Sequence, residues 1–451
     1  MGIEISIEWL TVLMFGSLLV LLMLGLPLAF VTGGLACVFL FILGDAQTLN
    51  IVPSRIFPLM TNYQLSAIPL FIFMAAMLER AGIINDMFDV IYKLLGGVKG
   101  GLASATIIAS TILAAMVGVI GAAVVTMGII ALPAMLKRAY RPEIAMGSIM
   151  AGGTLGILIP PSILAIIYAV VAEQSVGELF IGAVIPGLLL SGLYILYVTL
   201  TCYARPSFGP PIPVEERVPF AEKLRLVNKM SAPIALVAVV LGVIFTGVAT
   251  PVEAAGIGTF GAFVVAAIHR KLDWPTIRGA CLTTLKASAM VIWIMFGATI
   301  FVGLYVLNGG QQFVQETMQG LGLGPWGILI LMQVLLIALG MFLDWVGILL
   351  LAVPIFVPII KALGAAAFGL GSESELVLWF GVLYLVNMQM SFLSPPFGYA
   401  LFYLRGVAPD TIPMARIFRA ALPFLAIQAI GLALCMLFPG LITWLPSVVY
   451  G

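Results

Sequence analysis

Two Pro-Pro pairs, Pro160-Pro161 and Pro395-Pro396, stand inside hydrophobic segments long enough to cross a bilayer. Proline removes a backbone donor and clashes with the carbonyl four residues earlier, so two in succession unwind a helix. Unwound backbone in a membrane survives only where protein buries it or where it lines a wet cavity. Its freed carbonyls suit a hard cation such as Na⁺, and its amide-rich half-helix ends suit a carboxylate. Two clusters are expected to do this chemistry. The first joins Gly118 and Gly121 to Gly152, Gly153, Thr154, Pro160, Pro161 and Ser162. The second joins Met341 and Asp344 to Asn387, Met388, Ser391, Ser394, Pro395 and Pro396. Sodium would be held by carbonyls near Gly118, Gly153, Met341 and Met388, with no other cofactor.

Each of these residues also has a plainer reading. Glycine in membrane helices permits tight helix packing. Asp344, a carboxylate that costs a few kcal/mol at membrane depth, either supports cation binding or caps a helix by accepting backbone amides. The hydroxyls at the breaks could cap half-helices. Arg405 either meets an anionic substrate or marks the membrane edge, as Arg416 and Arg419 do. His269, beside Arg270 and Lys271, reads as a solvated surface residue.

The elements that must position these groups are membrane spans. Of 451 residues 63% are hydrophobic and 9% charged, with mean hydropathy +1.21, which defines an all-α polytopic membrane protein. Lipid is its solvent, and no nucleic-acid partner is expected. The four cysteines lack metal or redox spacing. Spans are predicted near 9–25, 27–44, 65–80, 143–172, 178–203, 232–249, 252–268, 286–307, 376–404 and 418–439. The stretches 102–137 and 326–361 would each be about 54 Å long as one helix, well beyond the roughly 30 Å hydrocarbon core. Basic residues flank both ends of the first, so it must leave the membrane on the face it entered. Both read as re-entrant helical hairpins, with tips at 118–123 and 341–344.

With the N-terminus outside, eighteen of the twenty Lys and Arg residues fall inside, leaving Arg55 and Lys361. The chain then divides into scaffold helices (1–85), a first repeat (86–203), a proline-rich cytosolic linker (204–231) with an interfacial helix over 219–229, a second repeat (232–439, its scaffold helices over 232–307) and a C-terminal tail (440–451). Tyr168 and Tyr403 each follow the first proline of their pair by eight residues. Each half reads hairpin, broken span, whole span, but the hairpins open on opposite sides. Such inverted repeats suit an alternating-access carrier.

Gly-Gly-Thr-Leu-Gly-Ile-Leu-Ile-Pro-Pro-Ser at 152–162, Gly-Met-Phe-Leu-Asp at 340–344 and Ser-Pro-Pro-Phe-Gly at 394–398 resemble the large membrane subunit of tripartite ATP-independent periplasmic (TRAP) transporters. The resemblance covers essentially the whole chain. It implies a sodium-driven importer of organic acids, of the C4-dicarboxylate or 2-oxo acid type, in the bacterial inner membrane with a periplasmic N-terminus. It further implies an elevator-type transport domain moving against a scaffold, a small membrane subunit of about four helices and a periplasmic substrate-binding protein. One departure stands out. The family's first tip is usually rich in serine, whereas this one reads Gly-Val-Ile-Gly-Ala-Ala, which favours backbone over hydroxyl ligation and a monocarboxylate such as a 2-oxo acid over a C4-dicarboxylate or a sialic acid.

The alternative is a stand-alone sodium/carboxylate symporter. Enzyme readings fare worse: a single histidine cannot supply a metalloprotease site, Asp344 alone cannot form an aspartyl dyad, and no Gly-Lys-Ser/Thr phosphate loop is present.

Overall fold

The computed structural model describes residues 5–44, 46–118, 120–213, 230–396 and 398–450. Among these the regular structure is helical, without strands. The first half contains α1 (Ile7–Met23), α2 (Leu28–Leu43), α3 (Ile51–Met60), α4 (Ala67–Arg80), α5 (Ile83–Leu95), α6 (Gly101–Val117), α7 (Ile120–Lys137), α8 (Pro142–Thr154), α9 (Ile163–Val171) and α10 (Val176–Ala204). The second contains α11 (Ser231–Phe245), α12 (Pro251–Ile268), α13 (Trp274–Leu307), α14 (Gly310–Gly320), α15 (Pro325–Gly340), α16 (Trp345–Leu363), α17 (Glu373–Leu393), α18 (Tyr399–Arg405), α19 (Met414–Leu437) and α20 (Gly440–Tyr450). Seven helices among the described residues are long and apolar enough to cross a membrane, or eight spans if the pair 47–60 and 63–80, bent by 61°, counts as one. The expected interfacial helix over 219–229 lies outside the described residues.

The two overlong stretches are interrupted. Residues 102–137 form α6 and α7, which meet at Gly118 and pack on each other, and 326–361 forms α15 and α16 with 341–344 between them. The segment 143–172 is α8, a short 3₁₀ turn and α9, while 376–404 is α17 and α18.

Three boundaries differ from expectation, for local reasons. α13 begins at Trp274 rather than 286, because Asp273 accepts from the Thr276 amide at 2.8 Å and Pro275 occupies the first turn. Its first turns carry Arg278 and Lys286, so hydropathy alone misses them. The expected tail 440–451 is α20, which packs on α10 and buries Ile442. Its apolar run is too short to signal a span. The boundary at 85/86 falls inside the amphipathic α5, which buries Met87, Phe88, Val90 and Ile91.

α17 lies innermost, with its whole membrane-length window buried. α8, α10, α15, α16 and α19 all pack against it. α2, α4, α12 and α13 form a second group, joined to the first where α4 meets α6 and α13 meets α16. In an apolar solvent such packing rests on close contact more than on hydrophobic transfer. Gly147 of α8 is one such contact: a Cβ there would meet the Phe424 ring and lie 2.6 Å from the Ala420 carbonyl oxygen of α19. Gly192 of α10 faces open space. Alanine ordinarily favours a helix over glycine by about 1 kcal/mol. Gly192→Ala should therefore leave the melting temperature of the detergent-solubilised protein unchanged or raised. Gly147→Ala should lower it, by an overpacking cost of about 1–3 kcal/mol.

Candidate functional site

Both breaks carry cis Pro-Pro bonds and sit within the interior group. At the first, residues 158–162 leave helical geometry between the 3₁₀ turn and α9. Ser162 caps α9, its hydroxyl accepting from the Ala165 amide and donating to the Ile157 carbonyl. Gly118 adopts φ 61°, a left-handed conformation that side chains disfavour, and a Cβ there would lie 2.8 Å from the Pro161 carbonyl oxygen. The junction of α6 and α7 is thus seated directly on the first break. Gly121 faces the ring of Tyr403, with 3.2 Å from a hypothetical Cβ, so the same junction also reaches the helix beyond the second break.

Gly152 and Gly153 face the sides of α6 and α7, at Ser110 and Val124, rather than their junction. Their lack of side chains lets α8 pack between those helices. Thr154 makes its side-chain contacts with other partners than Gly118. Its hydroxyl lies 2.8 Å from the Ala151 carbonyl and 3.4 Å from Oε1 of Gln389, and it accepts from Nε2 of Gln428 at 3.3 Å.

At the second break Ser394 donates to the Met390 carbonyl at 2.7 Å. The carboxylate of Asp344 caps α16 by accepting from the Gly347 amide at 3.0 Å, the cap geometry that the sequence left as an alternative. Met388 and Ser391 line a cleft with Leu343, Trp345 and Tyr399 that is too tight to admit water. This cleft joins the 341–344 junction to α17. Gly340 lies against Ser391, whose hydroxyl is buried without a partner. Met341 ends α15, and Pro395 and Pro396 stand at the more exposed edge of the break. Asn387 points elsewhere: its amide donates to the backbone and side-chain oxygens of Gln333 in α15, at 2.9 and 2.7 Å.

Arg405 does not face this region. It donates to the Ile412 carbonyl at 2.9 Å and lies 3.6 Å from Asp410, so it secures its own loop. Nδ1 of His269 sits 2.9 Å from the Val265 carbonyl, also locally. No group of three metal-ligating side chains occurs among the described residues. Gln333, Gln389, Gln428 and Tyr194 were absent from the expected site. A glutamine inside a hydrophobic span is the same signal as Asn387, and Gln389 stands two residues beyond it in the broken span itself.

The fold is that of a polytopic helical membrane protein whose helices are interrupted at two proline pairs. The crystal structure of the Alcanivorax borkumensis YdaH transporter superposes with a TM-score of 0.66 over 95% of this chain and 99% of that one; at 15% identity the likeness concerns the fold alone. The family is fixed by sequence: residues 15–441 match the model of the tripartite ATP-independent periplasmic transporter, DctM component, and the chain belongs to that family. It is 33% identical to a C4-dicarboxylate TRAP transporter large permease of Pseudomonas aeruginosa, over 92% of this chain and 93% of that one. A Vibrio cholerae protein of the same description is 30% identical over 97% and 98%. Large permeases of this family work with a small membrane subunit and a periplasmic binding protein.

Two substitutions test the seating of the junctions. Gly118→Ala should abolish most uptake by the assembled transporter without loss of membrane protein, since both its backbone angle and the Pro161 carbonyl oppose a side chain. Asp344→Ala should lose a cap worth about 1 kcal/mol and melt lower, whereas Asp344→Asn keeps an accepting oxygen and should melt like the native chain.

Proposed function

We propose that this chain is the large permease of a sodium-driven, binding-protein-dependent importer of a small organic acid, working by an elevator mechanism in the bacterial inner membrane with its N-terminus in the periplasm. The observation that carries the reading is the contact of Gly118 with the first Pro-Pro break and of Gly121 with the helix beyond the second. One junction thereby closes over two interrupted helices, as a gate around a single site would.

The side-chain oxygens of Ser162, Ser394 and Asp344 already serve backbone partners. Coupling sodium would therefore rely on main-chain carbonyls near Gly118, Gly153, Met341 and Met388, with Ser391 the free hydroxyl beside the second set. The substrate carboxylate would lie between the two junctions, where half-helix amides attract an anion. Cation and anion must cross together, because a block that moves with one alone dissipates the gradient. The relatives named for C4-dicarboxylates support a carboxylate cargo, and the serine-poor first junction favours a small one such as a 2-oxo acid.

Proteoliposomes carrying this chain with its small subunit should take up radiolabelled succinate or pyruvate only when the binding protein is present and sodium is higher outside. Potassium in place of sodium should abolish uptake. Uptake by this chain alone would favour the stand-alone symporter, and sodium-dependent uptake of neither probe would overturn a small-carboxylate cargo.

A further inference from the structure

Pro160 and Pro395 are 235 residues apart, and so are Thr154 and Gln389, whose side chains approach within 3.4 Å. A residue can touch its own counterpart in an inverted repeat only where the pseudo-two-fold axis passes between them. Under the inverted-repeat reading, this pair therefore sits on that axis. It is also one corner of a wholly buried polar cluster: Thr154 on α8, Gln389 on α17, Gln428 and Tyr194 on α19 and α10. Gln428 donates to Thr154 at 3.3 Å, and the Tyr194 hydroxyl lies beside both. Nε2 of Gln389, Oε1 of Gln428 and the Tyr194 hydroxyl keep unused capacity in an apolar interior, where such groups are costly unless connected.

The polar contacts these groups make between helices are with one another, which packing of the gates does not require. Their neighbours in sequence belong to the candidate clusters: Gly152 and Gly153, which pack on α6 and α7, precede Thr154, while Met388 and Ser391, which line the cleft at the 341–344 junction, stand one residue before and two after Gln389. We infer that Thr154, Gln389, Gln428 and Tyr194 are positioning residues, a polar pin that fastens the two interrupted helices together so that the two ion clusters form as one unit. A contact on the axis looks the same to either half. It therefore need not break when the halves exchange inward and outward roles. The inference rests on the sodium-coupled reading above and gives it a source of cooperativity: an ion ordering one break also orders the other, through the pin.

The test compares Thr154→Val, which removes only the hydroxyl from a similar shape, Gln389→Met, and the conservative Thr154→Ser in the complete reconstituted transporter. Sodium titration of uptake should show a Hill coefficient above one for the native protein and Thr154→Ser. In Thr154→Val and Gln389→Met it should fall toward one, with half-saturating sodium raised several-fold. Native cooperativity in both variants overturns the pin. Should native uptake prove independent of sodium, the coupling reading fails by itself, and amide hydrogen exchange decides the pin. Gln389→Met must then speed exchange over 150–158 as well as 387–393, and an effect confined to 387–393 overturns it. If Gln389→Met does not reach the membrane, Gln428→Met carries the same measurements.

Discussion

A bilayer offers no hydrogen-bond partner to backbone released from a helix, so each interruption must be sealed by the protein itself. That constraint organises this molecule. The breaks at Pro160-Pro161 and Pro395-Pro396 lie in the interior group, and the first is closed over by the junction of α6 and α7 at Gly118. A side chain at Gly118 would push that junction off the Pro161 carbonyl. Glycines at 152, 153 and 340 allow close helix contacts beside the breaks, at Ser110, Val124 and Ser391. α17 carries the second break and is buried along its whole membrane length.

Sealing also sorts the polar side chains into two kinds. Ser162, Ser394 and Asp344 satisfy nearby backbone groups at helix ends, where their removal would uncap a half-helix. Asn387 and Thr154 instead cross between helices, to Gln333 and to Gln389 and Gln428. The first kind shapes the walls of the site and the second holds those walls at fixed separation. An oxygen engaged in capping has less to offer any ligand than a main-chain carbonyl freed at a break.

The sequence discloses those features whose physics is local. Proline pairs mark where helices break, hydropathy marks the spans, and the length of 102–137 and 326–361 requires each to be interrupted. The breaks at both proline pairs and the interruptions at Gly118 and 341–344 are present in the structure, while α13 starts well before the place hydropathy gives it. What a single chain conceals is which polar group meets which. Thr154 is three residues from the 3₁₀ turn's end and close in sequence to the first break, yet its hydroxyl contacts Gln389 of α17 and Gln428 of α19. Gln428 lies far from either break in sequence and reaches Thr154 across the close packing of α19 on α8 at Gly147. The helices at 274–285 and 440–450 carry no hydropathy signal because charge or brevity lowers it, while capping and packing still support them.

The chain between the halves is part of the same construction. The Gly100 amide donates to the Gly209 carbonyl at 2.9 Å, that of Arg141 to Phe208 at 2.9 Å and that of Ile212 to Gly96 at 2.7 Å. The start of the linker is thus stitched to the loops that open α6 and close α7. The guanidinium of Arg141 lies 4.3 Å from the centre of the Phe208 ring, and Glu143 receives both Arg141 and Arg416 at 2.9 Å. Partly exposed ion pairs contribute little by themselves, so the three main-chain bonds do most of the fastening. Residues 205–213 therefore act as a strap across the base of the α6–α7 pair. Such a strap fixes a helical pair at its open end, and the stiffness of α6 and α7 carries that placement to Gly118. The α6–α7 pair is thus tied at both ends, at Gly118 and at residues 205–213.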